Sequence, residues 1–203
     1  MILTPVAETD LPAALAGLGA NLNGAARAAL DRIAASRAFG EPEDTPARRR
    51  QAVALARDLG IPVVDEAPAV AFSWDGRVLR TESEAWVILH EVAHWLIAPD
   101  DRRRRRDFGL GAGPETGRKD EADADRCVAE PARAREEAQA SLLGILWEAA
   151  LGQPAIHAFL EQNWLEGWQR ASAAAYFAGV VDDLVGLGLI DRDGQPLGLR
   201  AAA

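Results

Sequence analysis

The stretch Ala85-Trp86-Val87-Ile88-Leu89-His90-Glu91-Val92-Ala93-His94-Trp95-Leu96-Ile97 decides how this chain is read. Thr81-x-x-Glu84 before it has the form of a capping box, and Pro99 after it closes a helical run. On a helix, positions i and i+4 lie one above the other. His90 and His94 can therefore present two imidazole nitrogens to one ion. Glu91 follows the first histidine, about 100° around the helix, within reach of a water on that ion. Polar residues on the wet face of an ordinary amphipathic helix would have a polar setting. Here Trp86, Ile88, Leu89, Val92, Trp95, Leu96 and Ile97 surround the motif. A helix apolar on most sides is buried, and buried His and Glu need partners.

Two histidines need a third group. The next strong helix, about Ala134 to Leu151, offers Glu136 and Glu137. Leu142, Leu143, Ile145 and Leu146 mark its buried side. Glu136 falls at the edge of that side, and Glu137 shares the other face with Ser141, Gly144 and Glu148. The wheel favours Glu136, with Glu137 as the alternative. Either one also reads as a first-turn carboxylate favoured by the helix dipole. Of the remaining candidates, His157 reads as a surface residue and Cys127 as a buried small residue.

Outward from the motif the pattern is mainly α with a small antiparallel β element, an α+β class in which the HExxH helix packs against the Glu-bearing helix. Residues 11–39 read as one or two helices broken by Gly17, Gly19 and Gly24. Thr45-Pro46 begins another that runs to Leu59 and stops at Gly60. Ile61 to Asp65 reads as a short strand, and Ala69–Phe72 with Val78–Arg80 as a hairpin around Asp75-Gly76. Asp100 to Cys127 is a long polar loop. One or two further helices, over Ala155–Gln169 and Ser172–Leu187, lead to a terminal hairpin through Leu189-Ile190 and Leu197-Gly198-Leu199. The expected organisation is an N-terminal helical segment (1–60), a metal-site core (61–154) and a C-terminal helical extension (155–203) in one compact domain.

With 203 residues, 49% of them hydrophobic, the chain can bury a sizeable core. Its net charge of −9 argues against nucleic acid or an anionic membrane surface as partner. A single cysteine allows no internal disulfide and suits a reducing compartment. Met1-Ile2-Leu3-Thr4-Pro5 lacks the form of a signal peptide, and the longest apolar stretch is too short to span a bilayer. The expectation is a soluble, cytoplasmic protein. Arg102 to Arg106, flanked by Asp100, Asp101 and Asp107, reads as a solvated basic turn or as a docking patch for an acidic protein.

Leu89-His90-Glu91-Val92-Ala93-His94-Trp95-Leu96-Ile97-Ala98, then Arg102 to Arg106, Asp107-Phe108-Gly109 and Gly117-Arg118, together resemble the elongation factor P hydroxylase family. That family has an HExxH helix followed by Trp, a basic turn, an Asp-Phe-Gly segment and a downstream Glu on a helix. The resemblance covers about 85–150. It implies a non-haem iron oxygenase that hydroxylates a modified lysine on elongation factor P, with His90, His94 and one of Glu136 or Glu137 holding Fe(II). Where the family runs on through aromatics and a Cys, this chain has Leu110-Gly111-Ala112-Gly113. From spacing alone a zinc metallopeptidase leads, in which Zn²⁺ activates a water and Glu91 is the general base; beside the flanking resemblance it becomes the alternative. A closed structural zinc site would have only Cys127 and His157 to draw on.

Overall fold

A computed structural model describes residues 6–198. In chain order its helices are α1 (Leu11–Gly19), α2 (Gly24–Ala35), α3 (Pro46–Asp58), α4 (Ala85–Ile97), α5 (Lys119–Ala124), α6 (Ala132–Ala150), α7 (Ile156–Glu161) and α8 (Ala171–Gly186). Two strands, β1 (Val63–Val64) and β2 (Leu79–Arg80), form a two-stranded sheet. The Met1–Pro5 stretch and Leu199 of the expected last hairpin lie outside the described residues. The chain divides into two compact units. One takes the described residues up to Pro42 and those from Ser141 on, and the other runs from Glu43 to Ala140.

The first unit is helical, and its core holds Leu18, Ile33, Trp147, Phe159 and Phe177. Gly17 does not break α1. It lies inside the helix, packed so closely on Trp168 that a Cβ would fall 2.3 Å from that ring. The Ser36 hydroxyl donates to the Ile33 carbonyl at 2.6 Å and accepts from the Ile156 amide at 3.0 Å. The expected terminal hairpin contracts to one antiparallel bridge, Ile190 with Pro196.

The second unit carries the motif. Thr45 caps α3 by accepting from the Arg48 amide, and Gly60 takes φ +79° just beyond its end. The β element is a correction: β1 and β2 pair in parallel, Val63 with Leu79 and Val64 with Arg80. The Asp75-Gly76 turn does form, for Asp75 accepts from the Arg77 and Val78 amides and Gly76 has φ +90°. Only a Trp74–Leu79 bridge remains of the hairpin, and Pro68–Val70 is a 3₁₀ turn. The reason is competition for backbone groups. The Ala71 carbonyl accepts from the Arg118 amide, the Phe72 carbonyl from the Arg80 guanidinium, and the Trp74 carbonyl from the Asp107 amide. Gly117 passes so close that a Cβ would sit 2.0 Å from the Ala69 oxygen. The Asp100–Cys127 stretch is thus packed against this segment, with α5 and two 3₁₀ turns inside it.

The helix α4 ends before Pro99 as expected, but the capping box does not form. Thr81 is buried and its hydroxyl donates to the Val64 carbonyl at 3.1 Å, so it belongs to the edge of the sheet. The helix starts at Ala85, whose amide is taken by Asp44 Oδ1 at 3.1 Å. Asp44 is also paired with Arg49 of α3 and so ties the two helices together. Asp44→Ala should lower stability by about 1 kcal/mol, as losing a helix cap does. Chemical denaturation checks this, and a variant as stable as the parent would contradict that role for Asp44.

Candidate metal centre

His90 and His94 sit one turn apart on α4, and the first turns of α6 bring Glu137 to them. His90 Nε2 and His94 Nε2 are 3.0 Å apart, and Glu137 Oε2 lies 3.5 Å from the first and 3.3 Å from the second. Two ligands each about 2.1 Å from an ion, at 90° to 110°, stand about 3.0–3.4 Å apart. The triangle therefore has the size that one divalent ion requires, and this His-His-Glu group could hold a metal ion.

Glu136 points elsewhere. Arg102 Nη2 donates to its Oε2 at 2.6 Å, while Oε1 lies 3.8 Å from His94 Nδ1, on the other side of the ring. The helical wheel ranked Glu136 first because it is the more buried of the two, and its side chain is indeed 11% exposed against 38% for Glu137. That burial is spent on Arg102. Glu91 lies on α4 beside both histidines, partly buried. Cys127 is exposed, contrary to expectation, and its amide donates to the Gly109 carbonyl at 2.8 Å. His157 is half-buried on α7 in the other unit.

A wall of aromatic rings supports His94. Its imidazole stacks on Phe108 at 5.6 Å between centroids, and Phe108 stacks on Trp74 at 5.5 Å. Phe108 reaches this place through a tight turn in which Asp107 has φ 39°, Phe108 φ 55° and Gly109 φ 70°. A non-glycine residue in that left-handed region costs on the order of 1 kcal/mol. The Asp107 carboxylate holds the turn by accepting from the Trp74 amide at 3.2 Å and the Thr116 hydroxyl at 2.6 Å. Neither Phe108 nor Thr116 stood out as a site residue in the sequence. The Asp-Phe-Gly step did mark the turn, whereas nothing about Thr116 in a polar loop announces its contact.

The arginine run is neither a free basic patch nor merely solvated. Arg102 holds Glu136. Arg103 donates to the Trp95 carbonyl at 2.7 Å, with its guanidinium 4.1 Å over the Trp95 ring. Arg105 pairs with Asp125, and Arg106 with Glu121. Four of the five thus fasten the turn to α4, α5 and α6.

The electrostatics follow from burial. Burial opposes a charge on His94, but the Glu136 and Glu137 carboxylates outweigh it and raise this histidine to about 10. His90 moves the other way: burial lowers it, and Glu137 offsets this only in part. Burial raises Glu91 to about 8, with Asp107, Glu137 and Glu115 adding to the rise and His94 opposing it. For Glu137 burial works upward, yet hydrogen bonds to the two histidines hold its carboxyl well below the ordinary range. An ion taking His94 Nε2 must displace a proton held up to about pH 10. Zinc affinity should therefore rise about tenfold per pH unit between pH 6 and 8, with about one proton released per ion. Calorimetry in buffers of different ionisation heat checks this, and binding independent of pH would contradict the protonated His94.

Comparison with known proteins adds to this geometry. Neither a curated protein nor a solved structure matches the chain. A family model described as Elongation factor P hydroxylase matches residues 70–135. The matched segment holds His90, Glu91, His94, Arg102, the Asp107–Gly109 turn and Thr116, and it stops next to Glu136 and Glu137. Residues 70–135, about a third of the chain, are thus similar to the elongation factor P hydroxylase family, the one that the motif-bearing stretch resembles.

Proposed function

We propose that this protein is a metal-dependent hydroxylase of the elongation factor P hydroxylase kind, in which His90, His94 and Glu137 hold Fe(II). The observation that carries the reading is the convergence of those three ligand atoms within 3.0–3.5 Å, two of them on the segment that matches the family. Two histidines and one carboxylate, with further positions left open, is the donor set of non-haem Fe(II) oxygenases. When bound, Fe(II) would supply the activation of dioxygen: one oxygen atom enters a substrate C–H bond, and the other leaves as water with two electrons from an external reductant.

The chain's own residues then have separate tasks. Phe108 and Trp74 keep water from one face of His94. Asp107, Glu115 and Glu137, whose charges raise Glu91, make the surroundings of the site acidic. Such surroundings favour a cationic side chain, as a modified lysine on a protein would present. Elongation factor P in the cytoplasm is the protein substrate in this reading. Among the described residues no helix is long and apolar enough to cross a membrane.

A second reading draws on Glu91. A carboxyl raised to about 8 beside two metal-binding histidines also suits the general base of a zinc hydrolase. The two readings part over metal and oxygen. Protein reconstituted with Fe(II) should consume oxygen in the presence of a modified-lysine protein, and zinc-loaded protein should not. His90→Ala, His94→Ala and Glu137→Gln should each lose stoichiometric metal, measured as iron and zinc after anaerobic purification. Glu91→Gln should keep it. Peptide cleavage by the zinc form under nitrogen, abolished in Glu91→Gln, would replace the oxygenase by the hydrolase.

A further inference from the structure

The carboxylate left over beside the site has an arrangement of its own. His94 Nδ1 and Glu136 Oε1 are both buried, both lack a hydrogen-bond partner, and face each other at 3.8 Å. The other Glu136 oxygen is held by Arg102 at 2.6 Å, and a second nitrogen of the same guanidinium donates to the Phe108 carbonyl at 3.3 Å. Arg102 thus joins the carboxylate behind His94 to the backbone of the residue whose ring lies against His94.

We propose that Glu136 is the positioning residue of His94: its Oε1 accepts the Nδ1 proton, and Arg102 holds the carboxylate in line to do so. The inference rests on the reading of His90, His94 and Glu137 as ligands. A neutral imidazole carries one N–H and one lone pair, and a hydrogen bond at Nδ1 leaves the lone pair on Nε2, the atom that faces His90 and Glu137. Leaving a buried donor and acceptor unpaired is costly, whereas closing the gap takes a movement of roughly 1 Å. The arrangement also gives the two adjacent glutamates different places: Glu137 faces the ligand edge of the ring, and Glu136 the opposite edge. Glu136 could join the ligand set only by releasing Arg102, which would leave a mostly buried guanidinium without its carboxylate.

The test uses Zn²⁺ as a diamagnetic probe on the full chain, with affinity from chelator competition and the ring N–H protons followed by nitrogen-resolved NMR. The zinc-loaded parent should show a downfield, slowly exchanging Nδ1–H on His94. Glu136→Gln should still bind one zinc per chain, about 10- to 100-fold more weakly, with that proton shifted upfield. Glu137→Gln should lose stoichiometric zinc. If Glu136→Gln keeps both the affinity and the proton signal while Glu137→Gln loses zinc, the ligand set stands and the positioning role falls. If Glu136→Gln loses zinc and Glu137→Gln keeps it, Glu136 is a ligand and both readings fall. A parent that binds no zinc overturns the ligand set, and this inference with it. Should Glu136→Gln fail to fold, Glu136→Gln combined with Arg102→Gln removes the unpaired guanidinium and gives the same two readouts.

Discussion

A buried imidazole needs polar groups at both ring nitrogens, and around His94 the second unit gathers its neighbours from four directions. Glu137 approaches Nε2, Glu136 faces Nδ1, Phe108 covers one face of the ring, and His90 stands edge-on a turn earlier on the same helix. In an apolar setting a lone polar ring is costly, and a carboxylate facing each of its nitrogens lowers that cost. On the largely hydrophobic α4, the two histidines are met by the glutamates of α6, and the Phe108 ring packs on His94.

That turn shows how backbone strain is placed in such a site. Two consecutive non-glycine residues in the left-handed region are unfavourable taken alone. Asp107 offsets the strain with bonds to the Trp74 amide and the Thr116 hydroxyl, and Phe108 offsets it by filling the space between Trp74 and His94. The same bonds take up backbone groups that a hairpin would have used. The small sheet is parallel and only two residues long per strand because its neighbours serve the site instead.

The arginine run belongs to the same construction. The acidic groups gathered around the two histidines repel one another, and a net charge of −9 does not ease that repulsion. Arg102 neutralises the glutamate behind His94, while Arg105 and Arg106 hold Asp125 and Glu121 of the following segment. Arginine suits these places, since its planar fork can bind a carboxylate and a carbonyl together, as Arg102 does with Glu136 and Phe108.

The helix over Ala85–Ile97, the i, i+4 histidines and the presence of a carboxylate on a later helix were legible in the sequence, because helical periodicity and ligand spacing are local properties of the chain. So was the resemblance carried by the Trp, the basic turn and Asp-Phe-Gly. The wheel could say that Glu136 is more buried than Glu137 but not what it is buried against, for a wheel contains one helix and no neighbours. Only the tertiary structure brought Arg102 to Glu136, 34 positions away in sequence, and left Glu137 facing the two histidines. It also moved the start of α4 from the local capping box to Asp44, 41 positions before Ala85, because Thr81 was already committed to the sheet edge. Short-range pattern determined which residue types were available at the site. Which of two adjacent glutamates meets the histidines depended on charge pairing between distant segments, and that is decided only when the chain is folded.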